Sequence, residues 1–257
     1  MRQWFSLVVF LVCSAGALNP SLASAELADT VRRIKPSIVG VGVYAPTSRP
    51  PARLAGTGFV VADGRHVITN DHVLPKVLDV SSKEQLAVLI PGGRSNVRIA
   101  ARVATDPVHD LALLKISDAP LPAMRLGDAD QVREGELYAF TGFPIGTVLG
   151  LYPVTHHGIV SAVTPIAVPL LRGRDLNPAL IRRLRSPYTV FQLDATAYPG
   201  NSGSPVYDPE TGEVIGIINK VFVKGSKEAM LENPSGITYA IPVKYAKELI
   251  EKAGLAP

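Results

Sequence analysis

The chain has 257 residues, 47% hydrophobic and 19% charged, with 22 glycines, 22 prolines and one cysteine. This composition supplies a sizeable core and excludes both an intrinsically disordered chain and a disulfide-framed miniature domain. A net charge of +4 with pI ≈ 9.2 is too mild an excess to indicate nucleic acid, and no basic–aromatic motif accompanies it.

Residues 1–25 read as a secretory signal: Arg2 is basic, Trp4 to Val12 is apolar, and Ala23-Ser-Ala25 is a small-residue cleavage site. The apolar run is too short for a confident membrane span, and Val12 is too large to favour lipidation at Cys13. Cleavage would remove the one cysteine, leaving neither thiol nor disulfide. A periplasmic or secreted location follows, with residues 26–257 as one domain.

A helix-like lead over Leu27 to Ile34 opens this domain. Short apolar bursts bounded by Gly, Pro, Asp or Asn follow over 39–43, 58–61, 66–69, 86–90 and 110–116. They continue over 136–143, 158–163, 188–194, 214–221 and 237–241. Their length and spacing predict an all-β barrel or sandwich rather than βαβ units. Val243, Ala246, Leu249, Ile250 and Ala253 recur at helical spacing between Pro242 and Gly254, predicting a C-terminal helix. Arg172, Arg174, Arg182, Arg183 and Arg185 concentrate positive charge, and a solvated loop is the expected reading of that segment.

The stretch Asp194-Ala-Thr-Ala-Tyr-Pro-Gly-Asn-Ser-Gly-Ser-Pro205 places Ser202 among small, flexible residues. Gly200 and Gly203 permit backbone conformations barred to other residues, so the N–H groups of Gly200 and Ser202 could converge as an oxyanion hole. An ordinary turn would use the same residues. All five histidines precede Ser202, which excludes the α/β-hydrolase order and leaves His…Asp…Ser available. Spacing alone does not choose among His66, His72, His109, His156 and His157.

Three segments carry a family resemblance. Thr69-Asn-Asp-His-Val73, following Gly56-Thr-Gly-Phe-Val60, resembles the catalytic-histidine segment of HtrA-type (Deg) serine proteases. Asp110-Leu-Ala-Leu-Leu-Lys-Ile116 is similar to their aspartate strand, and Pro199-Gly-Asn-Ser-Gly203 to their nucleophile turn. Leu126-Gly-Asp-Ala-Asp130, Gly142-Phe-Pro-Ile-Gly146, Gly158-Ile-Val-Ser161 and Ala240-Ile-Pro242 extend the resemblance in order.

The resemblance implies a chymotrypsin-like double β-barrel, trypsin-like and bacterial, with His72 as base, Asp110 as its orienting carboxylate and Ser202 as nucleophile. It implies an oxyanion hole of Gly200 and Ser202, and a primary pocket near Thr196, Ala197, Ile218 and Gly236. None of those four is charged, so small or medium apolar P1 residues are expected. His109 adjoins Asp110, and strand alternation would turn it to the opposite face; His66, His156 and His157 are expected to be structural. No metal or cofactor is implied. Polypeptide substrates in quality control or processing are, and homo-oligomers are usual in the family.

The sequence departs from the family at Ser204, where a second glycine is usual. Gly-Asn-Ser-Gly-Ser-Pro is closer to glutamyl endopeptidases, but Ile218 replaces the histidine those enzymes carry. The PDZ module common in HtrA proteases is not expected. Two motifs mislead. Gly40-Val-Gly-Val-Tyr-Ala45 mimics a dinucleotide fingerprint, yet Pro46, Pro50 and Pro51 stand where its helix should begin. Ser37-Ile-Val-Gly40 mimics a maturation site, yet Asn201 cannot supply the ion pair such maturation needs. A rival reading is a binding or chaperone-like barrel that keeps the protease form without cleaving.

Overall fold

The computed structural model describes residues 21–92, 97–146, 150–166, 187–219 and 236–257. The arginine-rich segment over 172–185 and the last two positions of the strand expected over 214–221 lie outside them. Among the described residues, twelve strands form two closed six-stranded barrels.

The first barrel runs β1 (Ile38–Tyr44), β2 (Ala52–Val61), β3 (His66–Thr69), β4 (Gln85–Leu89), β5 (Val97–Asp106) and β6 (Leu111–Ile116). Its spatial order is β1-β2-β3-β6-β5-β4, closed by the antiparallel β1–β4 pair. The second comprises β7 (Leu137–Gly142), β8 (Val154–Pro165), β9 (Thr189–Asp194), β10 (Pro205–Tyr207), β11 (Val214–Asn219) and β12 (Ile237–Pro242). Its order is β10-β11-β12-β9-β8-β7, closed by β7 on β10.

The two-residue period of the strands sorts side chains between two cores. On β6, Ala112, Leu114 and Ile116 fill the first barrel, while Leu111 and Leu113 join the cluster shared with the second. On β2, Val60 points inward while Phe59 and Val61 join the shared cluster. Both faces of these strands are therefore buried, which is why their sequences read as continuous apolar runs rather than clean alternation.

Two helices complete the described chain: α1 (Ser21–Ile34) and α2 (Val243–Lys252). The cleavage point expected after Ala25 falls inside α1. Ile34 enters the shared cluster, the Thr30 hydroxyl donates to Glu210 O at 2.9 Å, and Arg33 donates to Thr211 O at 2.9 Å. These contacts dock α1 on the 208–212 turn of the second barrel. In α2, Val243, Ala246, Leu249 and Ile250 form a buried stripe in the shared cluster. Gly254, with φ of 77°, follows the helix and donates its N–H to Glu251 O. Among the described residues no helix is long and apolar enough to cross a membrane.

Most strands lie where the apolar bursts predict them. Two were not predicted: β5 and β10. β5 reads Val-Arg-Ile-Ala-Ala-Arg-Val-Ala-Thr-Asp and leaves most of its side chains at least partly exposed, so it lacks an apolar signature. β10 is three residues long, pinned between β7 and β11 directly after the 199–203 turn.

Candidate active site

His72 sits in a 3-10 turn (Asp71–Val73) between β3 and the loop leading to β4. Its Nδ1 lies 2.6 Å from Asp110 Oδ2, and its backbone N–H donates to Asp110 Oδ1 at 2.9 Å. Asn219 Nδ2, from the end of β11 in the second barrel, donates to the same Asp110 Oδ2 at 2.8 Å. The Asp110 carbonyl accepts from Asn70 Nδ2 at 3.0 Å and from the Asp71 N–H at 3.1 Å. Asp110 is 6% exposed, and three donors converge on its carboxylate. Asp71 is half-buried beside this group, and burial followed by the nearby Asp110 charge pushes its carboxyl above the usual range.

Asp110 corrects one detail of the sequence reading. It is not on a strand; it ends the 107–110 turn with φ of 56°, and the β6 ladder begins at Leu111. Strand alternation therefore cannot be what separates His109 from the site. His109 instead turns its Nδ1 to Asp106 Oδ2 at 2.5 Å and stacks on Tyr245 of α2 at 3.8 Å between ring centroids. Burial raises the Asp106 carboxyl, but the hydrogen bonds from His109 outweigh it and hold the group below its ordinary value.

His66 and His156 are occupied elsewhere, and His157 is exposed on β8. His66 is buried on β3 with Nδ1 2.7 Å from Asp63. His156 stacks on Phe140, and burial, with a smaller effect from His157, holds its imidazole below the ordinary value.

Ser202 lies in the turn between β9 and β10, 6% exposed. Gly200 and Gly203 adopt φ of 100° and 87°. A Cβ on Gly200 would stand 2.1 Å from Phe143 O, and one on Gly203 2.1 Å from Thr57 O, so both positions require glycine on space as well as torsion. The Pro199 carbonyl accepts from the Ile145 N–H at 2.6 Å, and Ser202 O accepts from the Thr57 N–H at 2.9 Å. Ile218 braces the turn from β11: its carbonyl accepts from Gly203 N–H at 3.0 Å and its N–H donates to Ser204 O at 2.8 Å. Among the described residues, the N–H groups of Gly200 and Ser202 have no intramolecular acceptor, as a turn built to receive an oxyanion requires. The Ser202 hydroxyl makes no hydrogen bond to His72 among these residues; such contacts commonly tighten only when substrate is bound.

Asn201 is fully buried, and neither side-chain polar atom has a hydrogen-bond partner among the described residues. A carboxylate there would be a buried, unpaired charge, so the neutral amide suits this site. Thr196 and Ala197 lie half-buried on the approach to the turn, and Gly236 is exposed at the start of β12 with open space around it. The Ile218 side chain is fully buried in the shared cluster.

Thr57, Asn70 and Asn219 were missed as functional residues. Each is a fully buried polar residue whose side chain donates a hydrogen bond within the candidate site, and neither burial nor partner is legible in chain order.

Comparisons with known proteins agree with this fold. Residues 56–217 match the family described as Trypsin-like peptidase domain. The chain is 32% identical over 212 residues to a "Probable periplasmic serine endoprotease DegP-like" of Marinomonas sp. (strain MWYL1), covering 82% of this chain and 38% of that protein. A protein of the same description from Brucella suis biovar 1 (strain 1330) is 34% identical over 208 residues, covering 79% and 33%. The chain thus spans about a third of the length of these relatives. Among solved structures, the HtrA-type protease AlgW with decapeptide superposes with a TM-score of 0.65 at 27% identity, covering 88% of this chain and 67% of that one. The serine endoprotease from Yersinia pestis gives 0.62 at 27% identity, covering 88% and 66%. The chain belongs to the trypsin-like peptidase domain family, and it resembles DegP-like and HtrA-type proteases.

Proposed function

We propose that this protein is a serine endopeptidase with His72 as general base, Asp110 as its orienting carboxylate and Ser202 as nucleophile. The observation that carries this reading is the convergence of His72 and Asn219, from different barrels, on the buried Asp110 carboxylate. That pair lies in a fold where Thr57 of the first barrel also holds the Ser202 carbonyl.

The chemistry follows from these positions. His72 Nδ1–H donates to Asp110, which leaves Nε2 unprotonated and able to accept the Ser202 hydroxyl proton as Oγ attacks the scissile carbonyl carbon. Negative charge moves to the carbonyl oxygen, where the N–H groups of Gly200 and Ser202 receive it; one such donor is typically worth about 10²–10³ in rate. The imidazolium returns its proton to the leaving amine nitrogen as the C–N bond breaks, giving an acyl-Ser202 ester. Water then attacks the ester, losing a proton to His72, and Ser202 departs reprotonated.

Apolar P1 side chains suit this site because Thr196, Ala197, Ile218 and Gly236 offer no charge to compensate a buried P1 Lys, Arg, Asp or Glu. Export by residues 1–25 and a role in protein quality control or processing belong to the same proposal; the description of the relatives as periplasmic supports the location alone.

A fluorophosphonate probe should label the wild type and leave Ser202→Ala unlabelled, and peptide-library cleavage should favour Ala, Val, Ile or Leu at P1. Equal labelling of both chains would remove the nucleophile assignment. A dominant Lys, Arg or Glu at P1 would remove the specificity assignment alone.

A further inference from the structure

The 199–203 turn performs its proposed task only if two N–H groups, those of Gly200 and Ser202, face the same point. A trans peptide is planar, with its C=O and N–H opposed, so fixing one residue's carbonyl aims the next residue's N–H. The only cis bond among the described residues is Arg49–Pro50, so the rule applies throughout this turn.

Each of four successive carbonyls is held. Pro199 O accepts from Ile145 N–H at 2.6 Å, and Asn201 O from Ser204 N–H at 3.0 Å. These two bonds aim the Gly200 and Ser202 N–H groups. The remaining two carbonyls go to one residue of the other barrel. Gly200 O accepts from the Thr57 hydroxyl at 2.7 Å, and Ser202 O from the Thr57 N–H at 2.9 Å.

The Thr57 hydroxyl has one proton, and it is spent on Gly200 O. Its lone pairs receive the Phe143 N–H at 3.0 Å. Phe143 opens the 143–146 loop that supplies the Ile145 N–H, and its own carbonyl lies against Gly200. One hydroxyl therefore ties the turn to the loop that orients its first peptide. Thr57 is fully buried, and its own carbonyl is held by the Thr69 hydroxyl at 2.6 Å, so the group has no freedom to serve another partner.

We propose that Thr57 is the positioning residue of the oxyanion turn, its hydroxyl fixing the Gly200–Asn201 peptide, which lies between the two donor-bearing peptides, through simultaneous bonds to Gly200 O and Phe143 N–H. The proposal rests on the reading of Ser202 as nucleophile. It goes beyond that reading by assigning competence of the turn to a side chain of the opposite barrel.

The test compares wild type, Thr57→Val, Thr57→Ala, Thr57→Ser and Ser202→Ala on one peptide substrate with Val at P1, each rate scaled to the native fraction from near-UV circular dichroism. Removing an oxyanion donor outright costs about 10²–10³ in kcat, and Thr57 bears on the two donors only through the peptide between them and the 143–146 loop, so a smaller loss follows. Thr57→Val and Thr57→Ala should therefore lower kcat by roughly 10–100-fold with KM within about threefold, and weaken a peptide boronic acid in parallel with kcat. Thr57→Ser, which keeps the hydroxyl, should recover to within about threefold of wild type.

Wild-type kcat in Thr57→Val, or a loss in Thr57→Ser as large as that in Thr57→Val, would overturn the proposal while leaving the protease reading intact. A wild type that neither cleaves nor takes up a fluorophosphonate would instead overturn the nucleophile assignment, and the role of Thr57 with it. If both hydroxyl-free chains failed to fold, Thr57→Ser alone would decide, since a fall beyond threefold in a folded hydroxyl-bearing chain contradicts the proposal.

Discussion

The two barrels hold their parts of the site by different means. The first barrel presents His72 and Asp110 through side-chain hydrogen bonds: a carboxylate receives an imidazole, a backbone N–H and an amide, all within 3 Å. The second presents Ser202 mainly through backbone, on a turn whose glycines adopt φ near +90° and whose carbonyls are held one by one, with the Thr57 hydroxyl as the one side-chain donor among those bonds. A side-chain assembly depends on the chemical identity of each partner. A backbone assembly depends on torsion and space, and tolerates identity wherever no Cβ intrudes. Ser204 illustrates the second case: it occupies a position where glycine is usual, yet its N–H and carbonyl bonds remain in place.

This contrast can be broken at several points, the largest effect first. Asp110→Asn would present an amide N–H to His72 Nδ1, fix the wrong tautomer and set one donor against another at Asn219. A loss on the order of 10⁴ in kcat is expected, with the fold retained by melting. Gly200→Ala places a methyl 2.1 Å from Phe143 O at a left-handed torsion. It should lower kcat by about 10²–10³ while near-UV circular dichroism shows the fold retained. An unchanged kcat would show that the turn is not held as described.

Asn219→Ala removes one of the three donors to the Asp110 carboxylate. A hydrogen bond to a charged group is worth about 1.5–3 kcal/mol, so kcat/KM should fall by roughly 10–100-fold, partly recovered in Asn219→Ser. The smallest effect concerns stability. The folded His156 imidazole lies below its ordinary value through burial. Between that lowered value and about 6.5 the unfolded chain therefore binds a proton that the folded chain does not, and stability falls as pH drops through this window. The melting temperature of wild type should fall between about pH 7 and pH 5, and His156→Phe, which keeps the stack on Phe140, should flatten that dependence.

Legibility in the sequence followed the physical source of each element. Strands with an apolar signature, such as β3 and β11, were readable because burial alone selects Val and Ile there. β5 was not, since its place is set by ladders to β4 and β6 and not by its own composition. The separation of His109 from the site was expected, but its cause is tertiary: the 107–110 turn and the Tyr245 ring, not strand alternation. Asn219 and Thr57 stood in segments already singled out, yet their roles depend on partners 109 and 143 positions away.

The sequence by itself determined an all-β chain with a C-terminal helix, because two-residue and 3.6-residue apolar periods are local properties. It also determined which serine could occupy a glycine-lined turn, since left-handed torsions require residues without a Cβ. Only the tertiary structure decided what completes the site. Hydrogen bonds between the barrels have no period and no fixed spacing, so nothing in chain order announces that Asn219 reaches Asp110 or that Thr57 holds the turn of Ser202.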